Sequence, residues 1–309
     1  MSNIASIFKK VVGKKRVFIN ADIKNHTSIK TSCICSIIVF PETERQIKKL
    51  AIIIGRLKLP HVIMGAGSNL LFKNKTYLGV VVNLCQVKGK IKAHGESLYA
   101  PCSAKTTELL QAMLNKNLSG LEFLAGIPAT MGGMVCMNAG AFGLAISDYV
   151  LKVKVVDGGK IKWLRNNDCG FCYRGSALKS NKIVLGVLFK LKKRAKQESL
   201  ILIKNFLIKR KTMQPTEASF GSVFKNPNEC SAGFLIDNLN LKGYKKGGAM
   251  ISKKHANFII NTGNATGQDV YNIIKFVQNK VYDSFGTQLE TEVEIIGENE
   301  DDKRGLSHS

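Results

Sequence analysis

Two glycine-rich segments are the first parts of this chain whose residue types suggest chemistry. Residues 65–69 read Gly-Ala-Gly-Ser-Asn, and residues 120–143 contain six glycines in 24 positions. Glycine lets a backbone approach a flat or anionic ligand without an intervening Cβ, and the N–H groups of a glycine-rich turn can hold phosphate oxygens. The alternative, small residues packed where backbones cross, stays open at this point.

The first glycine-rich segment is not a dinucleotide-binding fingerprint. That motif needs a third glycine and a helix that receives the pyrophosphate. Here the apolar residues 61–64 predict a strand before the segment, and residues 70–72 and 78–84 predict strands after it. Because no helix is predicted in that place, the Rossmann interpretation is excluded.

Three polar positions are candidates for reactive groups. Arg174 is one of 8 arginines in a chain with 38 lysines, and its fork can bind two oxygens of a carboxylate or phosphate. Ser222 lies in a loop between Gly221 and Pro227 without the G-x-S-x-G elbow of hydrolases, yet its hydroxyl could deliver a proton. Glu290 and Glu292 are predicted on one face of a final strand. Each has a structural alternative: a surface ion pair for Arg174, a turn hydroxyl for Ser222, and solvated carboxylates for the two glutamates.

Hydrophobic periodicity predicts a mixture of helices and strands around these positions. Capping-box spacings at Thr43/Gln46 and Thr266/Asp269 predict two helix starts, with the first helix ending at Gly55 and the second running to Phe285. Further helices are predicted near 110–114 and 234–239, and strands at 36–40, 61–64, 78–84, 150–156, 161–164, 183–190, 255–261 and 292–297. An Asp-Gly-Gly turn is predicted at 157–159.

The composition describes a basic globular protein. The chain of 309 residues has 46 basic and 22 acidic residues, a formal charge of +24, and 45% hydrophobic residues, which excludes a disordered chain. The basic residues are scattered and are mostly Lys, whereas base-reading proteins favour Arg, so we predict no nucleic-acid partner. The apolar stretches are too short to span a membrane, and residues 1–19 lack the apolar region of a signal peptide, which predicts a cytoplasmic protein.

The eight cysteines are expected to be reduced thiols. Cys169 and Cys172 have the spacing of a redox or metal pair, but no second such pair or nearby His completes a zinc site. We therefore predict no metal.

Taken together and in order, these segments resemble one family, the UDP-N-acetylenolpyruvoylglucosamine reductases. The resemblance runs from about residue 24 to residue 297. It rests on the motifs G-A-G-S-N-L-L, G-L-E-F-L-A-G-I-P-A-T-M-G-G, N-A-G-A-F-G, Y-R-G-S, Q-P, G-S-V-F-K-N-P, A-G-x-L-I-D and S-x-K-H-A.

The resemblance implies an α+β fold with a two-lobed FAD-binding region of the vanillyl-alcohol-oxidase type and a C-terminal α+β substrate domain. The expected bounds are 20–86 and 87–203 for the two lobes, 204–298 for the substrate domain and 299–309 for a disordered tail. The lysine-rich stretch 204–211 is expected at the domain boundary.

The resemblance also implies a site with FAD bound non-covalently and NADPH as co-substrate. By analogy, Arg174, Ser222 and Glu292 are the catalytic residues of enolpyruvyl reduction, with Ser222 as proton donor. Tyr173, Lys225 and Asn226 are expected to contact the UDP-sugar. The residues expected to bind FAD are Gly65, Ala66, Gly67, Ser68, Asn69, Leu70, Gly126, Ile127, Pro128, Thr130, Gly132, Gly133, Asn138, Ala139 and Gly140.

Some positions depart from the family pattern. Ser32 and Cys33 stand where the family has a Gly-Gly pair, and Ala129 replaces a glycine that could have a positive φ. The short span from Tyr173 to Lys211 resembles the compact form of the family, which lacks a Tyr loop. The oligomeric state is open, with a monomer favoured.

Two other functions remain as alternatives. The first is an FAD-dependent oxidase of a small alcohol or sugar, which would often tether its flavin through His or Cys. No His lies in a glycine-rich segment, although Cys102 and Cys136 are close to one. The second is a basic nucleic-acid-binding module.

Overall fold

The computed structural model describes residues 2–180 and 182–297, so the predicted tail lies outside the described residues. The helices are α1 (Ser2–Val12), α2 (Glu44–Arg56), α3 (Thr106–Asn115), α4 (Met131–Cys136), α5 (Lys196–Met213), α6 (Ala232–Asn238) and α7 (Gly267–Phe285). The strands are β1 (Val17–Asp22), β2 (Ile34–Val39), β3 (His61–Met64), β4 (Leu70–Phe72), β5 (Thr76–Asn83), β6 (Lys92–His94), β7 (Ser97–Pro101), β8 (Leu118–Ser119), β9 (Gly140–Ala141), β10 (Leu144–Ala145), β11 (Val150–Asp157), β12 (Lys160–Arg165), β13 (Lys182–Lys190), β14 (Lys192–Lys193), β15 (Lys245–Lys246), β16 (Ala249–Ile251), β17 (Ile259–Asn261) and β18 (Glu294–Ile296). Within this part of the chain, no helix is long and apolar enough to cross a bilayer.

The chain forms two compact units, each built from several segments. Of the described residues, the first unit comprises those at 2–19, 37–66 and 79–212, and the second comprises those at 20–36, 67–78 and 213–297. This grouping differs from the expected lobes, whose bounds stay a prediction. The lysine-rich stretch 204–211 lies inside α5, just before the division between the units.

Two larger sheets supply most of the strand residues of the first unit. One has the strand order β1-β2-β5-β3, with β3 and β5 parallel, and the other is an antiparallel sheet of order β12-β11-β13-β7-β6. The predicted strands at 150–156, 161–164 and 183–190 are confirmed as β11, β12 and β13. The turn between β11 and β12 has positive φ at Gly158 (55°) and Gly159 (74°), as a type I′ hairpin requires.

Helix α2 shows how the sequence pattern produces local structure. The Thr43 side chain accepts from the backbone of Gln46, and the Gln46 side chain accepts from the Thr43 backbone, which confirms the capping box. Ile47, Leu50 and Ile54 are buried on one face. The predicted end at Gly55 is wrong by one residue, because the helix continues to Arg56 and Gly55 lies within its last turn.

The second unit packs α6 and α7 with the sheet β15-β16-β17, around its own apolar core. The Thr266/Asp269 capping box and the buried face of α7 are confirmed. The predicted strand 255–261 is shortened to β17, because residues before Ile259 form a turn stabilised by His255. The predicted final strand 292–297 is shortened to β18, which pairs in parallel with β4 at Leu70↔Glu294.

Candidate active site

Arg174 lies in a strained turn of the first unit. The Cys172 N–H donates to the Gly175 carbonyl at 3.0 Å, and the Gly175 N–H donates back to the Cys172 carbonyl at 3.2 Å. Arg174 is the third residue of this turn and has a φ of 55°, a conformation that costs a non-glycine residue roughly 1–2 kcal/mol. A turn with positive φ at this position normally has glycine or asparagine there. An arginine in this conformation is a backbone outlier, which makes the position a candidate functional residue.

Asn138 connects this turn to the second glycine-rich segment. Its side-chain Nδ2 donates to the Cys172 carbonyl at 2.9 Å, and its side-chain Oδ1 accepts from the Ser147 N–H at 3.1 Å. The Ser176 hydroxyl adds a bond of 2.7 Å to the Cys136 carbonyl. Two motifs that the sequence predicts separately are thus brought together through backbone carbonyls.

Gly140 leaves the space that the Arg174 guanidinium occupies. A Cβ at Gly140 would lie 2.7 Å from Nη1 of Arg174 and 2.8 Å from the Leu144 carbonyl oxygen. Cζ of Arg174 also lies 5.3 Å from the centre of the exposed Tyr173 ring, within cation–π range. The guanidinium is therefore close to both a side-chain-free backbone and an aromatic ring.

The two glycine-rich segments meet at Thr130. A Cβ at Gly65 would overlap the Thr130 hydroxyl, and a Cβ at Gly132 would lie 3.1 Å from Cys102 Cβ. Packing within the unit therefore explains both of these glycines. Gly133 is different, because it is exposed and a Cβ there would have its nearest neighbour, the Thr130 hydroxyl, at 3.9 Å. The space in front of Gly133 is open to a ligand.

The loop before α4 carries the remaining predicted cofactor contacts of this segment. Gly126 and Pro128 are exposed, and Ile127 is partly buried. Ala129 is not among the residues with positive φ, so its replacement of a glycine carries no left-handed strain.

Ser222 and Glu292 lie on neighbouring extended segments of the second unit. Val223, next to Ser222, forms backbone hydrogen bonds with two other segments. The Val223 N–H donates to the Asn257 carbonyl at 2.9 Å, and the Val223 carbonyl accepts from the Glu292 N–H at 2.7 Å. Both Ser222 and Glu292 are partly buried. The structure thus brings together two predicted catalytic residues that are 70 positions apart in the sequence.

Asn257 positions the Ser222 segment, and sequence reasoning missed it. Its buried side chain accepts from the Phe224 N–H at 2.9 Å and donates to the Phe224 carbonyl at 2.8 Å. The Asn257 amide therefore satisfies the backbone groups of Phe224 as a neighbouring strand would. Gln278 of α7 likewise satisfies a backbone group, by donating to the Leu289 carbonyl at 2.8 Å. The only available signal was the position of Asn257 two residues after the S-x-K-H motif.

Asn69 connects the first glycine-rich segment to Glu292 within the second unit. Its side-chain amide donates to the Glu292 carbonyl at 2.9 Å, and its own carbonyl accepts from the Glu294 N–H at 3.0 Å. Gly67 has a φ of 63°, and its carbonyl accepts from the Ser28 N–H at 3.1 Å. A predicted cofactor residue therefore helps to hold the backbone of a predicted catalytic residue.

Lys225 and Asn226 have local partners. Lys225 forms an ion pair of 2.8 Å with the exposed Glu290, an interaction that contributes about 0–1 kcal/mol. The Asn226 side chain accepts from the Ala232 N–H at 3.1 Å at the start of α6. These contacts orient both side chains, and their role toward substrate stays a prediction.

The eight cysteines are all free thiols, with Cys169 buried and Cys172 exposed. Across the described ranges, no group of three or more metal-ligating side chains is present.

His255 is held as a neutral imidazole. Its Nδ1 accepts from the Asn257 N–H at 3.2 Å, which places the ring proton on Nε2. Burial, followed by the charge of Lys242, lowers the pKa of His255 below its usual 6.5. The ring is therefore uncharged at neutral pH.

A pH-dependent loss of stability follows from the lowered pKa of His255. Below pH 6.5 the unfolded chain binds a proton that the folded chain does not, so the free energy of unfolding falls as the pH drops further. We expect His255→Gln to flatten this fall, measured by denaturant unfolding between pH 7.5 and pH 5. The exposed His94→Gln is the control, and an equal flattening in both variants would contradict the assignment.

Comparison with known proteins defines the class and then the family. The FAD binding domain model matches residues 35–165, so this part of the fold is that of a flavoprotein. The C-terminal domain model of UDP-N-acetylenolpyruvoylglucosamine reductase matches residues 214–296. The chain belongs to the UDP-N-acetylenolpyruvoylglucosamine reductase family, as the motifs had indicated.

Individual relatives resemble the chain over almost its whole length. The reductase of Clostridium botulinum is 40% identical over 299 residues, which is 96% of this chain and 97% of that protein. The reductase of Alkaliphilus oremlandii is 36% identical over 94% of this chain and 96% of that protein. A crystal structure of the reductase from Thermus caldophilus has a TM-score of 0.77, with 33% identity, and covers 90% of this chain and 97% of that one. The predicted α+β fold with an FAD-binding region is confirmed.

The residues of the first unit fit the FAD that the family implies. Gly133 leaves open space that a side chain would fill, beside the loop carrying Ile127 and Pro128. The Arg174 guanidinium supplies positive charge in the same unit.

Proposed function

We propose that the chain is an NADPH-dependent flavoenzyme that reduces the enolpyruvyl group of UDP-N-acetylglucosamine enolpyruvate to UDP-N-acetylmuramate, a peptidoglycan precursor. The observation that carries this proposal is the family relationship over 96% of the chain, with Arg174, Ser222 and Glu292 at the matching motif positions. The loops of the first unit would hold FAD, whose chemistry would be hydride transfer from NADPH to the substrate double bond.

The chain's own residues would stabilise charge and deliver a proton. Hydride addition at one carbon leaves negative charge on its neighbour, shared with the carboxylate as an enolate. Arg174, already held in place by its turn, would stabilise that charge electrostatically. Ser222 would protonate the carbon, and Glu292 on the neighbouring segment would orient or polarise this arrangement.

The remaining assignments follow from the same proposal. The loops at 65–70, 126–133 and 138–140 would hold FAD non-covalently, and Tyr173, Lys225 and Asn226 would contact the UDP-sugar. The expected bounds of the two lobes and the substrate domain belong to this proposal as well. We further propose a cytoplasmic monomer. Its positive charge would help to draw in substrates that are all polyanions.

A visible spectrum of the purified protein tests the proposal directly. We expect flavin absorbance that bleaches with NADPH and returns when the enolpyruvyl sugar is added under anaerobic conditions. Acid precipitation should release the yellow colour into the supernatant, because no covalent bond holds the flavin. Absence of flavin together with salt-dependent DNA retention would contradict the proposal, and colour retained in the pellet would favour the oxidase alternative.

Gly133→Leu is expected to weaken FAD binding without unfolding the protein. The new side chain would enter the open space in front of Gly133, so we expect the Kd for FAD to rise roughly 10-fold or more, equivalent to about 1.4 kcal/mol. The measurement is quenching of FAD fluorescence, with the melting temperature as the test of folding. Gly55→Leu is the control, because Gly55 is also an exposed helical glycine with open space at its Cβ position and lies outside the predicted loops. Equal FAD affinities in wild type and Gly133→Leu would contradict the placement.

A further inference from the structure

Helix α5 is attached to the glycine-rich loop of the first unit through one arginine. The buried carbonyls of Ala125 and Phe123 accept from Arg210, at 2.7 Å from Nε and 3.1 Å from Nη2. A Cβ at Gly126 would lie 2.9 Å from Cδ of Arg210, so the loop and the arginine side chain pack without a gap. Burial, and then the like charge of Arg174, lower the pKa of Arg210.

The tip of the hairpin β9–β10 is the second attachment point of α5. Phe142 has a φ of 56° and Gly143 a φ of 81°, the signs of a type I′ turn, in which Asn-Gly is the usual pair. The Phe142 ring lies 4.7 Å from the Phe206 ring of α5, and Cζ of Arg210 lies 5.3 Å from the Phe142 ring centre. A bulky aromatic residue is thus kept in a left-handed conformation by contacts with α5.

The same hairpin forms the wall beside Arg174. Ala141 pairs with Leu144, and Gly140 pairs with Ala145. The turn at Phe142 and the backbone at Gly140 are therefore the two ends of one short antiparallel ribbon. The Arg174 guanidinium lies directly against Gly140. A displacement of the tip would therefore change the space that this guanidinium can occupy.

We propose that Phe142 and Arg210 are positioning residues for Arg174, with α5 as the support that holds the hairpin and, through it, the guanidinium. Neither residue is required to touch the reacting atoms. The inference rests on the proposed role of Arg174 in enolpyruvyl reduction. It explains why a strained phenylalanine occupies a turn where asparagine would cost less.

A merely structural role would give a different pattern of effects. Loss of general stability would lower the melting temperature and weaken every step of turnover alike. Loss of positioning would slow the step in which Arg174 stabilises charge and would leave flavin reduction by NADPH unchanged.

Stopped-flow kinetics of Phe142→Leu and Phe142→Tyr separate these roles in the holoenzyme. We expect Phe142→Leu to slow flavin reoxidation by the enolpyruvyl sugar roughly 10-fold, because small misplacements of a catalytic group are costly. Phe142→Tyr should restore the rate, since the ring that packs on Phe206 is retained. Ile208→Ala, on an exposed position of α5, is the control. Equal slowing of both half-reactions, or a wild-type rate in Phe142→Leu, would overturn the proposal.

Chemical labelling of Arg174 gives a readout that does not depend on activity. Phenylglyoxal modification, followed by peptide mass spectrometry, should be several-fold faster at Arg174 in Phe142→Leu and Arg210→Lys than in wild type. The exposed Arg45 serves as the internal reference. Unchanged labelling of Arg174 in both variants would refute positioning. If wild type failed to reduce the enolpyruvyl sugar, the proposed function would fall, while the labelling would still decide whether α5 positions Arg174.

Discussion

Ser222→Ala is expected to block reoxidation of the flavin by the enolpyruvyl sugar while flavin reduction by NADPH stays intact. Ser222 lies on the extended segment next to Glu292, where its hydroxyl would supply the proton that completes reduction. Loss of a general acid of this kind slows a reaction roughly 10²- to 10⁴-fold. Stopped-flow absorbance of the flavin, with NADPH and the sugar added in turn, measures the two half-reactions separately.

The matched control for this experiment is Ser219→Ala, three residues earlier in the same region and partly buried. We expect wild-type rates for both of its half-reactions. Slowing of flavin reduction and reoxidation by the same factor in Ser222→Ala would contradict the proton-donor role. Unchanged hydrogen bonding of Val223 with Asn257 and Glu292 predicts that the variant folds normally.

Arg174→Lys is expected to impair the same half-reaction by about 10²- to 10³-fold, the usual effect of removing one donor to a developing anion. Lysine keeps the charge but lacks the planar fork, and its flexible stem is not pre-organised. The measurement is again single-turnover flavin reoxidation, here as a function of sugar concentration. A lower limiting rate, rather than weaker binding alone, identifies loss of an interaction made in the transition state.

The conservative change Arg45→Lys at an exposed position of α2 is the control. Its rates should equal those of wild type. Unchanged stopped-flow rates in Arg174→Lys would refute the assigned role, and an increase in KM alone would assign Arg174 to substrate binding.

Local structure was largely predictable from the sequence. The capping boxes of α2 and α7, the Gly158–Gly159 turn and the strands β11 to β13 follow from residue types a few positions apart. The errors occurred where tertiary contacts override local preference. Residues 255–258 look like a strand but form a turn, because His255 and Asn257 bond to each other and to the Phe224 segment.

The sequence predicts the candidate site as a set of residues, which stays a prediction, and it does not predict their arrangement. Short motifs identified Arg174, Ser222 and Glu292, because the family resemblance resides in their order along the chain. The side chains that bond to the surrounding backbone gave no such signal. Asn257 bonds to the backbone of Phe224, and Arg210 bonds to the carbonyls of Ala125 and Phe123. Bonds of this kind join segments far apart in the chain and leave no local sequence pattern.

The fold class, the family and the residues that are candidates for chemistry could be inferred from the amino-acid sequence, because they depend on periodicity and on ordered motifs. The three-dimensional structure distinguishes glycines that serve packing from glycines that leave open space. The space next to Gly65 is occupied by Thr130, and the space next to Gly132 is occupied by Cys102, whereas Gly133 faces open space. It also showed that Arg174 occupies a left-handed turn against Gly140, since backbone conformation and close approach depend on contacts between segments far apart in the chain.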